Sequence, residues 1–450
     1  MRRRDEEWTT RKSRTIRVLM GGLGLFWGAA AYAQAPPAPE APPASPAWQD
    51  PAACTCNACE CAVEEPTCDC LMRHFDDDCG NNWIADAGFN ISGFLAQGFT
   101  WNPDDPSNNI NGPVTFNDRA NEYQLNQLYM ILERAVDRDA DELQVGGRVD
   151  VLWGTDYYFT QALGLELDQD GSQHWNSQDG PNRAFGPDTG SLYGIAMPQL
   201  YAEVGGSGVS VKAGHFYTII GYEVVPANGN FFYSHAYTMQ YGEPFTHTGF
   251  LASLSLTDNV ALTSGAVLGW DNWDDTNDAW SYLGGITFTN DCETTSLAFS
   301  VITGDERTVL APFSTDSRTM YSVVLSHQLT DDLTYVLQHD HGWQDAAGGP
   351  GSADAEWYGI NQYLFYQVSD NVRAGIRGEW FRDDDGFRVI AGGGTPADYY
   401  QITGGLNINL ADCVLLRPEV RYDWCDGATP YDDFSEDDQF LFATDLIWQF

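Results

Sequence analysis

Apolar and polar residues alternate with period two through much of this chain. From Val414 to Trp424, one face carries Val414, Leu416, Pro418, Val420, Tyr422 and Trp424, and the other carries Arg417, Glu419, Arg421 and Asp423. The stretch from Val372 to Trp380 splits the same way, with Val372, Ala374, Ile376 and Trp380 opposite Arg373, Arg377 and Glu379. So does Leu143 to Trp153, where Val145, Val149, Val151 and Trp153 oppose Arg148 and Asp150. This phase predicts β-strands with one apolar and one charged face. Tyr123 to Ala135 and Trp357 to Gln367 break phase, so bulges are expected there.

After residue 33 no run approaches the roughly 20 apolar residues of a membrane helix, which excludes helical spans. Short turns recur instead: LTDNV (256–260), TNDCE (289–293), LTDDL (329–333), VSDNV (368–372) and LADCV (410–414), their central Asp residues 33 to 42 positions apart. That interval fits two strands and one longer loop, so the repeating unit is a hairpin. The remaining connections, such as DNWDDTNDA (271–279), are long and polar. Strands are predicted near 87–100, 121–135, 142–154, 194–204, 209–218, 245–257, 260–270, 280–289, 294–303, 318–329, 333–343, 356–368, 372–382, 398–409, 413–424 and 440–450. The fold class is all-β: a transmembrane up-and-down antiparallel β-barrel of about 16 strands, with short periplasmic turns and long extracellular loops.

A soluble sandwich would alternate too, but three features favour the membrane barrel. Trp153, Trp270, Trp343, Trp380 and Trp424 sit at strand ends, where an interfacial girdle would place them. Charged inner faces are tolerable only in a wet lumen. The chain also ends in FLFATDLIWQF, whose alternation up to a terminal aromatic resembles the C-terminal assembly signal of outer-membrane proteins.

The N-terminus adds compartment. Arg2, Arg3, Arg4, Arg11, Lys12, Arg14 and Arg17 precede the apolar run from Val18 to Ala31, and Ala31-Tyr32-Ala33 forms a cleavage site. Residues 1–33 therefore read as a signal peptide. Residues 34–53 form an Ala/Pro-rich linker, 54–85 a cysteine-rich periplasmic segment, and 86–450 the barrel. Without the signal the chain keeps 15 Lys+Arg against 61 Asp+Glu. That balance excludes a nucleic-acid partner, which needs a basic footprint, and predicts cation preference in any pore.

Seven of the ten cysteines, Cys54, Cys56, Cys59, Cys61, Cys68, Cys70 and Cys79, lie within 26 residues. In an exported chain they are disulfide candidates, within the chain or to neighbours, with a thiolate metal site as the other reading. Cys292 and Cys413 lie in two short turns; they could reach that cluster or another subunit, but the plainer reading makes them turn residues.

The stretch GHFYTIIGYEVVPANGNFFYSHAYTMQYGEPFTHTG (214–249) holds three of the eight histidines, His215, His235 and His247, with Glu223 and Glu243 among aromatics. A Ser234-His235 hydrolase reading fails because adjacent side chains on an extended chain point apart. A metal reading finds no tight ligand spacing. No enzyme activity is expected. The favoured reading is a loop folded into the lumen, with Glu223, Tyr233, His235, Tyr237 and Glu243 as constriction residues. Arg148, Asp150, Arg373, Arg377, Glu379, Arg417, Glu419, Arg421 and Asp423 are expected to line the pore and to pair along each strand; the equal alternative is that they simply fill and rigidify the wall. Acidic runs at 76–78, 383–385 and 432–438 read as solvated loops with at most weak Ca²⁺ or Mg²⁺ association; no cofactor is expected.

This stretch, with GFLAQGFTWNPDDP (93–106), NEYQLNQLYMILERAVD (121–137) and VGGRVDVLWGTD (145–156), resembles the OmpL-like β-barrel porins, abundant in planctomycetes and found in other Gram-negative bacteria. The resemblance covers roughly residues 86–450 and implies an outer-membrane barrel that passes small solutes, with no catalytic residues to carry over. The expected partners are outer-membrane lipid, small hydrophilic solutes or ions, and further copies or disulfide-linked neighbours. The alternative is a non-conducting anchoring barrel cross-linked through its cysteine segment.

Overall fold

A computed structural model describes residues 72–75, 82–177, 191–307, 315–347, 352–389 and 393–450. The signal peptide, the linker and all seven clustered cysteines lie outside the described residues. After a one-turn helix α1 (Trp83–Asp86), sixteen strands follow: β1 (Asn90–Trp101), β2 (Tyr123–Arg134), β3 (Gln144–Gly154), β4 (Gly194–Gly206), β5 (Val209–Tyr217), β6 (Thr246–Thr257), β7 (Val260–Val267), β8 (Ser281–Thr289), β9 (Thr295–Arg307), β10 (Thr315–Thr330), β11 (Leu333–Gln344), β12 (Ala355–Ser369), β13 (Val372–Asp383), β14 (Ala397–Ala411), β15 (Val414–Asp426) and β16 (Asp438–Gln449).

Each strand pairs antiparallel with its sequence neighbours, and β1 pairs with β16, so the barrel is closed. Closure leaves no unpaired edge in the bilayer, where an unsatisfied backbone group costs several kcal/mol. The terminal residue takes part: Phe450 and Gly93 exchange both backbone hydrogen bonds at 2.9 Å. A side chain at Gly93 would collide with the Tyr129 carbonyl and the Phe450 ring.

The outward face is apolar and exposed to lipid, as at Phe250, Ile286, Phe299, Leu364, Ile376, Ile402 and Val420. Trp153, Trp343 and Trp424 stand on this face near the long-loop end. Trp270 does not. It lies in the β7–β8 loop, is buried inside the barrel and meets Trp357 edge-on at 6.1 Å.

β2 carries its expected bulge, between the partners of Ala96 and Gln97. β12 has none within 357–367; its register shifts only between Gln367 and Ser369, at the short turn. Its inward Trp357, Tyr363 and Phe365 and its outward Tyr358, Leu364 and Tyr366 are all apolar or aromatic. A strand apolar on both faces shows no hydropathy phase.

Two further readings change. Cys413, in the β14–β15 turn, is disulfide-bonded, so it is more than a turn residue. Cys292 and Cys425 are free, exposed and buried respectively. Asp383, read as part of a solvated run, is buried and accepts the backbone N–H groups of Phe387, Arg388 and Val389 at 2.7–2.9 Å. A carboxylate at a tight turn can take several N–H groups at once, which offsets the cost of burying it.

Candidate functional site

Residues 218–245, between β5 and β6, run through the barrel interior. The charged wall residues of β13 and β15 hold this loop by its main chain. Glu379 accepts the N–H groups of Tyr237 (2.8 Å) and Thr238 (2.6 Å). Glu419 accepts those of Tyr233 (2.8 Å) and Ser234 (3.2 Å). Arginines take the carbonyls: Arg417 reaches Ala227 O and Asn230 O at 2.8 and 2.6 Å, Arg421 reaches His235 O at 2.5 Å, and Arg377 reaches Ser234 O at 2.7 Å. A chain segment without regular structure must find partners for each buried backbone group, and the wall supplies them.

On β2, Gln127 donates to Val225 O and accepts from Ala227 N, at 2.8 and 3.0 Å. Tyr233 hydroxyl donates to Asn126 at 2.8 Å, and Trp357 donates to Gly242 O at 3.0 Å. The inner face also makes room: a Cβ at Gly98 would lie 2.6 Å from the Tyr233 ring, and one at Gly375 2.4 Å from Phe231.

The ion pairs differ from the expected pairing along single strands. Arg148 and Asp150 do bond within β3 (2.7 Å), as do Arg421 and Asp423 within β15 (2.7 Å). Arg377 pairs instead with Glu223 of the loop at 2.7 Å, and Arg417 with Asp445 of β16 at 2.5 Å. For Arg417 the reason is geometric: residues two apart on a strand are roughly 6.5–7 Å apart, whereas directly opposite cross-strand residues are about 5 Å apart. Arg417 and Asp445 are direct register partners. Arg373 stacks over Phe365, 4.7 Å from the ring centre.

Water contact is limited at this wall. Arg377, Glu379, Arg417, Glu419, Arg421 and Asp423 point inward but lie buried beneath the loop, while Arg148 and Arg373, nearer the short-turn end, are partly exposed. Asp445, Asn126 and Gln127 were missed in the sequence. Asp445 had a signal, as the one charge on the inner phase of Leu441, Ala443 and Ile447.

Of the constriction residues, Glu223 joins the most partners. It accepts from Arg377, from Tyr363 hydroxyl (3.0 Å) and from Ala236 N (2.9 Å), and lies 3.2 Å from His235 Nδ1. Burial works to raise its pKa, but Arg377 and the bonds from His235 and Ala236 hold it well below the usual carboxylate range. Burial pushes the His235 pKa down, against the pull of Glu223. Ser234 hydroxyl is engaged by Arg377 at 2.9 Å, not by His235. Tyr237 hydroxyl donates to Asp423 at 2.7 Å. Glu243 takes the Gln338 amide at 2.5 Å, and burial, then the Asp340 charge, raise its pKa well above normal. His215 bonds Thr248 and His247 bonds Gly269 O, each at 2.8 Å. Among the described residues no three His, Cys, Asp or Glu side chains converge as a metal site.

On every strand the inward side chains nearest the long-loop end are buried, and on nearly every strand those toward the short turns are partly or fully exposed. The interior is therefore an aqueous cup on the short-turn side, floored by the loop. Its floor carries Ile219, Tyr222 and Phe231, while Glu133, Arg148, Lys212, Ser253, Thr263 and Arg373 line its wall.

Solved outer-membrane barrels share this fold. The in-vitro folded OmpT of Vibrio cholerae aligns with a TM-score of 0.52 at 10% identity, covering 80% of this chain and 97% of that one. An anion-selective porin from Comamonas acidovorans gives 0.51 at 9% identity, covering 80% and 99%. No curated protein matches the sequence. By its sequence match over residues 88–450, this closed outer-membrane barrel belongs to the family described as putative beta-barrel porin-2, OmpL-like.

Proposed function

We propose that the protein is a porin-like channel for passive diffusion of small hydrophilic solutes across the outer membrane, cation-preferring and without enzymatic activity. The observation that carries this reading is the inner face of β6–β10. Its row Ser253, Thr263, Gly285, Ser300 and Ser322 runs strand to strand in register, hydroxyl-rich, small and uncharged. A wall of this kind hydrogen-bonds water and polar solutes without trapping them. Cation preference rests on the formal net charge of −42 and on the acidic long loops, where burial and then the nearby charges of Asp432 and Asp438 raise the Asp104 pKa. Bilayer recording from the refolded protein tests the reading: ion channels with cation selectivity are expected, and a folded barrel that never conducts, even with the loop shortened, would sink it.

The second reading, a non-conducting anchoring barrel cross-linked through its cysteine segment, draws support from the filled upper barrel. The same recording separates the two.

A further inference from the structure

The loop does not meet all sides of the barrel alike. Its hydrogen bonds to strand side chains gather on β2, β11, β12, β13 and β15. Against the inward face of β6–β10 it sets an apolar edge. Leu251, Gly265, Leu283, Ile302 and Met320 form one continuous row in register across five strands. Its four side chains, Leu251, Leu283, Ile302 and Met320, are buried and pack in one cluster with Ile220 of the loop and Trp270. Ile219 lies beside it, its Cδ1 3.0 Å from where a Cβ on Gly285 would stand.

The rows on either side are polar or small. Toward the short turns runs the hydroxyl-rich row from Ser253 to Ser322. Toward the long loops runs the row Ser281, Gly304 and Arg318, with Glu306 one inward step beyond Gly304 on β9. One apolar row of side chains therefore lies between two polar rows: Ser253, Thr263 and Gly285 below it open to the cup, while Ser300 and Ser322 and, above it, Ser281, Glu306 and Arg318 are buried. Water leaves such a constriction readily, and an empty apolar gap blocks ions as well as a solid plug does.

We propose that the conducting path runs along the inner face of β6–β10 and is closed by a hydrophobic gate formed by Leu251, Leu283, Ile302 and Met320 against Ile220. The opposite, charged side of the loop is its anchor and stays shut. This inference rests on the channel reading above. In it, the apolar seam wets or parts and water reaches the polar row above it, while the buried ion pairs of β13 and β15 remain made.

The test uses the full refolded chain in planar bilayers, with folding checked by heat-modifiable electrophoretic mobility. Ile302→Ser, Met320→Ser and the loop variant Ile220→Ser are expected to raise mean current several-fold over the parent, with the Ile220→Ser/Ile302→Ser pair largest. Tyr422→Phe, on the outward face of β15 away from the seam, is expected to leave the current unchanged. If serine prevents folding, Ile302→Ala and Met320→Ala are read instead, with a smaller rise expected. A current unaffected by the seam variants but increased when Arg377 and Arg417 are replaced by Met would overturn the gate while preserving the channel. No current from any variant, including a chain with 222–242 replaced by a short Gly-Ser linker, would remove the channel reading and the gate with it.

Discussion

Arg377 and Glu223 lie 154 positions apart in the chain and 2.7 Å apart inside the barrel. The pair is buried and joins β13 to the loop crossing the lumen, with Ser234 on the same guanidinium. Replacing Arg377 by Met leaves the Glu223 charge uncompensated, which costs about 3–5 kcal/mol for a buried pair. The expected outcome is faster backbone hydrogen exchange across 218–245 with the strands still protected. Adding Glu223→Gln should restore part of the protection, because the stranded charge is removed.

The cross-strand pair on β15 and β16 makes a separable claim. A double-mutant cycle in denaturant should give Arg417 and Asp445 a coupling of about 0.5–3 kcal/mol. Coupling of Arg417 to Glu419 should be smaller, since Glu419 spends its oxygens on the Tyr233 and Ser234 N–H groups. Equal couplings would refute the assignment.

Acid should loosen the loop. His235 has a lowered pKa, so the unfolded chain binds its proton more readily and stability falls as pH drops below the ordinary histidine range. Glu223 is also lowered, and its contribution is lost further down, as pH falls through its depressed value. Limited proteolysis between pH 8 and pH 4 should therefore show cleavage within 218–245 rising toward acid. In a His235→Asn variant the first part of that rise should vanish.

Selectivity is testable by reversal potential in a salt gradient. Cation preference is expected, and it should weaken when Asp432, Asp433, Asp437 and Asp438 are replaced by Asn. Anion selectivity in the parent protein would refute the charge argument, and a solved relative in fold is itself anion-selective.

Peptide mapping without reductant should recover Cys413 in a disulfide-linked peptide, while Cys292 and Cys425 appear as free thiols. Cys292, being exposed, should alkylate first. Linkage of Cys413 to a peptide from 54–79 of the same chain would place the cysteine segment beneath the barrel. Linkage to a second chain would favour the anchoring reading.

The strands were legible because lipid on one side and a polar interior on the other impose a period of two, and Arg417-to-Asp423 shows it almost without noise. The closure was legible from the hairpin repeat and from the terminal aromatic alternation. What hid β12 was aromatic filling on both faces. What misplaced Trp270 was its position at a strand end, which looks the same whether the ring turns to lipid or to the lumen. Glu223 and His235 could be read as loop residues, but their partners could not.

By itself, then, the chain determined the number of strands, their facing and the presence of an unusual segment at 214–249, because each is a local consequence of side-chain polarity along an extended backbone. Only the tertiary structure decided which charges meet, because register sets Asp445 opposite Arg417 and loop entry sets Glu223 against Arg377. It also decided where the interior is wet. The loop's main chain takes up the charged wall of β13 and β15, and that leaves its bare apolar edge, Ile219 and Ile220, against the uncharged strands β6–β10.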